Sequence, residues 1–212
     1  MLSGHILLPL ASAAYSADPR PCMHNVIPGA TLNRRFEIPC DSSDTNTCSA
    51  YTWVDVTRRM IGLVFRGTNE EAQFEVELPA ILAARPKDFQ NGGKVVPYFD
   101  DAFFSLWNNA DLGNNVKEMS RQYPDFDLYL TGHSLGGAMA AVSAYHIVTN
   151  KVHPLNRVFL YTFGEPRNGD AHLARLLDSS IRAFRIVHNR DLAPHIPFRS
   201  MGYQHHGVEV WF

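Results

Sequence analysis

FDLYLTGHSLGGAMAAVSAYHIVT, residues 126–149, is the stretch whose reading decides the fold of this chain. Residues 126–131 form a short apolar run, as a buried strand requires. Residues 132–137 are glycine-rich and read as a tight turn. From Leu135 to Thr149 the run is rich in alanine and reads as a helix. A bare G-x-S-x-G pattern is a weak signal, because those residues are common. Here it sits between a strand and a helix, the setting in which a sharp turn lifts a serine above a sheet edge. Ser134 is therefore the candidate nucleophile. Its neighbours Gly132 and Gly136 keep strand and helix close. The helix N-terminus beneath it favours developing negative charge. The competing reading is a glycine-rich turn with an incidental serine.

The flanks repeat the strand–helix theme in both directions. Downstream, residues 157–163 (RVFLYTF) and 182–188 (RAFRIVH) read as strands, 170–177 as a short helix and 208–212 as a last strand. Upstream, residues 51–56 and 60–66 read as a hairpin. Its second arm, MIGLVFR, is apolar nearly throughout, as expected of a strand covered on both faces. Residues 100–123 read as two helical pieces breaking near Gly113. Residues 69–82 read as an amphipathic segment interrupted by Pro79. Strands alternating with helices predict an α/β protein with a mainly parallel sheet and helices on its faces. Reactive groups then belong at the carboxyl ends of the strands.

The bulk numbers exclude several classes. The chain has 212 residues, which fits one domain over 1–212, with 45% apolar and 19% charged residues. A net charge of −2 offers no basic field for phosphates, so no nucleic-acid partner is expected. No apolar run approaches the ~20 residues of a membrane span. Residues 1–14 have apolar and small residues but no Lys or Arg, and Pro9 lies inside the apolar part. They read as a first helix rather than a signal peptide. The histidines show no ligand spacing with carboxylates or cysteines, so no metal and no cofactor is expected. Cys40 and Cys48 bracket a polar turn and read as a small-loop disulfide, against three free thiols as the alternative. Cys22 is left over.

A serine hydroxyl needs a base, and the base needs an orienting acid, in the chain order Ser, acid, His for this architecture. Asp191, in the loop after strand 182–188, is the candidate acid. Glu165, which also follows a strand, is the reserve. Asp170 reads as a helix start and Asp178 as a helix end. The base is open. His195 lies only four residues beyond Asp191 in a proline-bounded loop. His205 and His206 precede the last strand, and at most one can face the site. His133 reads as packing under the turn, and His146 and His188 as structural. The oxyanion hole needs two backbone N–H groups: Leu135, after the nucleophile, and Thr68, in the turn after strand 60–65.

Taken together, LVFRGT (63–68), YP (123–124), TGHSLGG (131–137), TFGEPRNG (162–169) and HNRDLAP (188–194) resemble the class 3 lipases, the fungal lipases, feruloyl esterases and their relatives. The resemblance runs nearly the whole chain. LPLASAAYSADPRPC, CDSSDTNTCSAYT and GYQHHGVEVWF are most similar to the nematode branch of the secreted members. It implies an α/β-hydrolase fold and a carboxylic-ester hydrolase, triacylglycerol lipase-like, working through an acyl-enzyme in lipid degradation. It implies Ser134 as nucleophile, Asp191 as acid, Thr68 and Leu135 as oxyanion donors, and a lid beginning at Asn69 over a lipid interface. The fungal lid carries a tryptophan; this segment has Phe74 instead.

The resemblance also implies a histidine in a His-x-x-Tyr-Phe motif beyond the last strand, and a late cysteine to pair with Cys22. Neither is present, which implies that the chain lacks a C-terminal segment and has little activity by itself. Secretion, a monomer, and a Cys40–Cys48 disulfide are the remaining expectations. The alternatives are a non-catalytic lipase-like scaffold that binds lipid or protein, and a feruloyl or small-ester esterase.

Overall fold

The computed structural model describes residues 3–39, 46–68, 81, 85–90 and 92–212. Strand β6 (Asp127–His133) is the axis of a seven-stranded sheet. On one side lie β3 (Met60–Phe65), β2 (Thr47–Asp55) and β1 (Thr31–Pro39). On the other lie β7 (Val158–Phe163), β9 (Arg182–Val187) and β11 (Val208–Trp211). The pairs β3–β6, β6–β7, β7–β9 and β9–β11 are parallel, whereas β1–β2 and β2–β3 are antiparallel. The expected mainly parallel sheet is therefore present. The expected hairpin is β2–β3, with β2 starting four residues earlier than the sequence indicated.

Strand β1 was not legible. Only Phe36 of its nine residues is buried, so it carries little of the apolar signal on which a sequence reading depends. At the opposite edge β11 is exposed along its length, held by its ladder to β9 and by the Trp211 indole donating to the Asn189 carbonyl at 3.0 Å.

The sheet buries both faces. Ile61, Leu63 and Phe65 of β3 pack with Leu128 and Leu130 against α3 (Pro97–Phe104), α4 (Leu112–Gln122), α5 (Leu135–Thr149) and α6 (Ala171–Ser180). Met60 and Val64, which alternate with them, pack with Tyr51 and Trp53 against α1 (Leu8–Ala13) and α2 (Arg20–Val26). Two-residue periodicity thus gives β3 two buried faces, as its unbroken apolar run predicts. Within the N-terminal stretch read as a first helix, α1 lies on the sheet, and Leu7, Leu10 and Ala11 are fully buried. A small second sheet joins β4 (Lys87–Asp88), β5 (Lys94–Val95), β8 (Gly169–Asp170) and β10 (Tyr203–Gln204).

The break expected near Gly113 within 100–123 falls two residues before it, at Asp111. Asp111 adopts a left-handed conformation (φ 67°) and α4 starts at the next residue. Gly113 lies inside α4 for a packing reason: a Cβ there would sit 2.8 Å from the Trp107 indole. Residues 69–80 and 82–84, which include most of the segment read as amphipathic, lie outside the described residues.

Helix α6 starts where its sequence says. The Asp170 carboxylate accepts hydrogen bonds from the amides of His172 (3.0 Å) and Leu173 (2.8 Å), which would otherwise lack partners. Asp170→Ala should therefore cost about 1 kcal/mol and lower the melting temperature by roughly 2–4 °C in a circular-dichroism melt. An unchanged midpoint would show that the cap contributes nothing.

Candidate active site

Four loops leave the carboxyl ends of four adjacent parallel strands and meet at one place. They are residues 66–68 after β3, the turn at Ser134 after β6, residues 164–168 after β7, and residues 188–194 after β9. The backbone of Ser134 has φ 55° and ψ −125°. That conformation costs on the order of 1–3 kcal/mol for a residue with a side chain, and persists only where its surroundings enforce it. Here they do. The Ser134 amide donates to the Phe163 carbonyl at 2.9 Å, and its own carbonyl accepts the amides of Gly137 and Ala138 to open α5.

Two glycines make this bend feasible through close approach. A Cβ on Gly132 would lie 2.3 Å from the Gly136 carbonyl. A Cβ on Gly136 would lie 2.4 Å from the Phe65 oxygen and 2.9 Å from the Gly67 amide nitrogen. Strand, helix and the 66–68 loop are in backbone contact, which leaves no room for any side chain. Leu135 is the first residue of α5, so its N–H has no intrahelical acceptor. Ser134, Leu135 and Thr68 line one small cavity of about 20 Å³ with Ile81, Phe99, Pro166, Ala193 and Ile196. The sequence reading named the first three; the apolar walls come from segments too distant in sequence to be associated with them beforehand.

Asp191 lies in the loop after β9. Its Oδ1 accepts the Ala193 amide at 2.9 Å. Its Oδ2 sits over Gly164, 2.6 Å from where a Cβ would be, and Gly164 takes φ 58°, so position 164 is closed to other residues on both counts. Asp191, Gly164, His133, His188 and Phe212 border a second, larger cavity of about 500 Å³. His133 is not a packing residue under the turn. It is exposed at the surface, and its Nδ1 lies 2.8 Å from the Tyr15 hydroxyl. Desolvation of the ring pushes its pKa below the ordinary value, and the Asp191 charge opposes that shift.

Glu165, the reserve acid, belongs to a different arrangement. It is buried and accepts a hydrogen bond from His206 Nε2 at 2.8 Å, with Thr162 Oγ1 and Asn168 Nδ2 also donating to it. Burial alone would raise this carboxyl, but the charge and hydrogen bond of His206 outweigh it and hold the pKa below its ordinary value. His205 points its Nε2 at the Pro194 carbonyl (2.7 Å), and burial pushes its pKa down to about 4. His195 is exposed, and its carbonyl accepts from Arg167. Among the described residues, no imidazole is hydrogen-bonded to Ser134 Oγ. Cys48 is buried and engaged, Cys22 is a free thiol 3.6 Å from the Pro9 carbonyl, and Cys40 and the segment from Asn69 lie outside the described residues.

The lowered Glu165 pKa sets a direction for stability against pH. The unfolded carboxyl titrates near its ordinary 4.5, so the pair stabilises the fold above that pH and ceases to do so as pH falls through the lower folded value. Glu165→Gln should cost about 3 kcal/mol at pH 7 in urea unfolding, and the gap to wild type should narrow below about pH 4. An equal gap at pH 7 and pH 3 would contradict a buried carboxylate held ionised by its hydrogen bonds.

A family model for class 3 lipases matches residues 62–201. A lipase of Caenorhabditis elegans is 32% identical, over 98% of this chain and 64% of that protein. A lipase of Rhizomucor miehei is 31% identical, over 88% of this chain and 53% of that protein. The chain thus spans somewhat over half the length of these curated relatives. Among solved structures, a lipase of Rhizopus microsporus var. chinensis superposes with a TM-score of 0.84 at 27% identity, covering 97% of this chain and 72% of that one. A triacylglycerol lipase whose catalytic centre is formed by a serine protease triad gives 0.83 at 26% identity, over 97% and 77%. With a matching family model over most of its length and fungal lipases as its structural neighbours, the chain has an α/β-hydrolase fold and belongs to the class 3 lipase family.

Proposed function

We propose that this domain is the ester-cleaving unit of a lipase, acting on acylglycerols through Ser134. The observation that carries the reading is the strained Ser134 backbone at the head of α5, with Leu135 and Thr68 lining the same apolar cavity. Ser134 Oγ attacks the acyl carbonyl carbon while a base takes its proton. The oxyanion that forms is held by the Leu135 and Thr68 amides. Collapse returns the proton to the departing alcohol and leaves an acyl-serine, which water then cleaves by the reverse sequence.

Asp191 is the acid that orients the base. That base is an imidazole other than those of His205 and His206, which are bonded to Pro194 and Glu165. The cavity of about 500 Å³ beside Asp191 has the room for it. Domain 1–212 acts at a lipid surface as a secreted monomer, with the segment from Asn69 as a lid and Cys40 joined to Cys48. The secreted mono- and diacylglycerol lipase of Penicillium cyclopium, 31% identical, supports the secreted and lipid-cleaving parts of this reading.

Hydrolysis of p-nitrophenyl butyrate by residues 1–212 should be slow and should rise severalfold on addition of millimolar imidazole. Ser134→Ala should abolish both rates, and Asp191→Asn should remove the imidazole effect. Fast turnover without imidazole that still depends on Ser134 would place the base within these 212 residues. No Ser134-dependent turnover, and no labelling of Ser134 by a fluorophosphonate in imidazole, would favour a non-catalytic lipid- or protein-binding scaffold.

A further inference from the structure

The Tyr15 hydroxyl occupies a position that the reaction scheme above does not use. It lies 2.8 Å from His133 Nδ1, immediately before the nucleophile. It also fills the space beside Gly67, where a Cβ would approach it to 2.4 Å and the His133 carbonyl to 2.5 Å. One phenol therefore touches both the turn that holds Ser134 and the loop that leads into Thr68. Tyr15 is carried there by the turn that follows α1, its amide bonded to the Ser12 carbonyl at 3.2 Å.

The far side of the His133 ring has its own neighbour. The point where a Cβ would stand on Gly164 is 3.6 Å from His133 Nε2 and 2.6 Å from Asp191 Oδ2. The negative charge of Asp191 on that side of the ring, with no hydrogen bond between them, favours a proton on Nε2, which leaves Nδ1 as an acceptor for the Tyr15 hydroxyl. The bond made at one ring nitrogen fixes the tautomer and orientation of an imidazole.

We infer that Tyr15 is a positioning residue for the ester-hydrolase site: its hydroxyl donates to His133 Nδ1, holds that ring with its Nε2–H toward Asp191, and pins the Gly67 backbone so that the Thr68 amide is set for the oxyanion. The inference rests on the proposed hydrolase reading for its effect on rate, but not for the hydrogen bond itself. An oxyanion donor is useful only when it is already in place as charge develops. A hydroxyl wedged between the donor loop and the nucleophile turn supplies that constraint at the cost of no reorganisation.

Tyr15→Phe tests this by deleting one oxygen. Long-range ¹H–¹⁵N spectra should show the His133 ring of the wild type as the Nε2–H form, and a tautomer mixture in the variant. Fluorophosphonate labelling of Ser134, measured in the presence of imidazole, should slow about tenfold, less than the roughly 10²–10³ lost when an oxyanion donor itself is removed. The melting temperature should fall by no more than a few degrees. A wild-type ring in the Nδ1–H form overturns the assignment, as does an unchanged labelling rate with a lower melting temperature, which would make Tyr15 structural only. If the wild type does not label at all, the hydrolase reading fails by itself, and the tautomer comparison alone decides the Tyr15 hydrogen bond.

Discussion

The site depends on backbone-to-backbone contact between the turn at Ser134 and the end of β3. Gly132 and Gly136 bring the strand, the helix and the 66–68 loop to distances at which a single methyl group would collide with main-chain atoms. Interiors packed at this density cannot give way smoothly. The same contact forces Ser134 into its unfavourable conformation and sets Leu135 beside Thr68. The strain is local, and the burial of β3 on both faces, with α1 and α2 on one side and α5 on the other, stabilises the fold enough to sustain it.

Around that contact the charged groups separate by role. Glu165 and His206 are buried together behind the turn and tie the 164–168 loop to the segment that precedes β11. Asp191 is half-exposed at the rim of the larger cavity, next to Gly164 and His133. Both carboxylates follow a parallel strand, and both are candidates on chain order. Their surroundings distinguish them: one is saturated by hydrogen bonds from Thr162, Asn168 and His206, whereas the other accepts the Ala193 amide and borders the larger cavity. A group whose acceptor capacity is fully used holds structure together, and one with capacity to spare is available to orient a partner.

Much of this was legible in the order of residues. The strand–turn–helix at 126–149, the buried strand at 60–65, the Asp170 cap and the loop position of Asp191 all rest on local signals: periodicity, small residues at a bend, and a side chain that bonds to amides two and three positions on. Those signals need no knowledge of the rest of the chain. Strand β1 lacked them, because it is held by its ladder to β2 rather than by burial of its side chains. Gly113 marks the break to within two residues, but the sequence does not show the indole that packs on it.

Sequence alone determined that this is a parallel α/β protein with a serine on a glycine-flanked bend, because those features follow from short-range sterics and a repeating apolar pattern. Which partner each histidine meets was decided only by tertiary structure. His206 goes to Glu165, 41 residues away, and His133 to Tyr15, 118 residues away. Pairings over such separations are chosen by the packing of whole strands and helices, and no local rule encodes them.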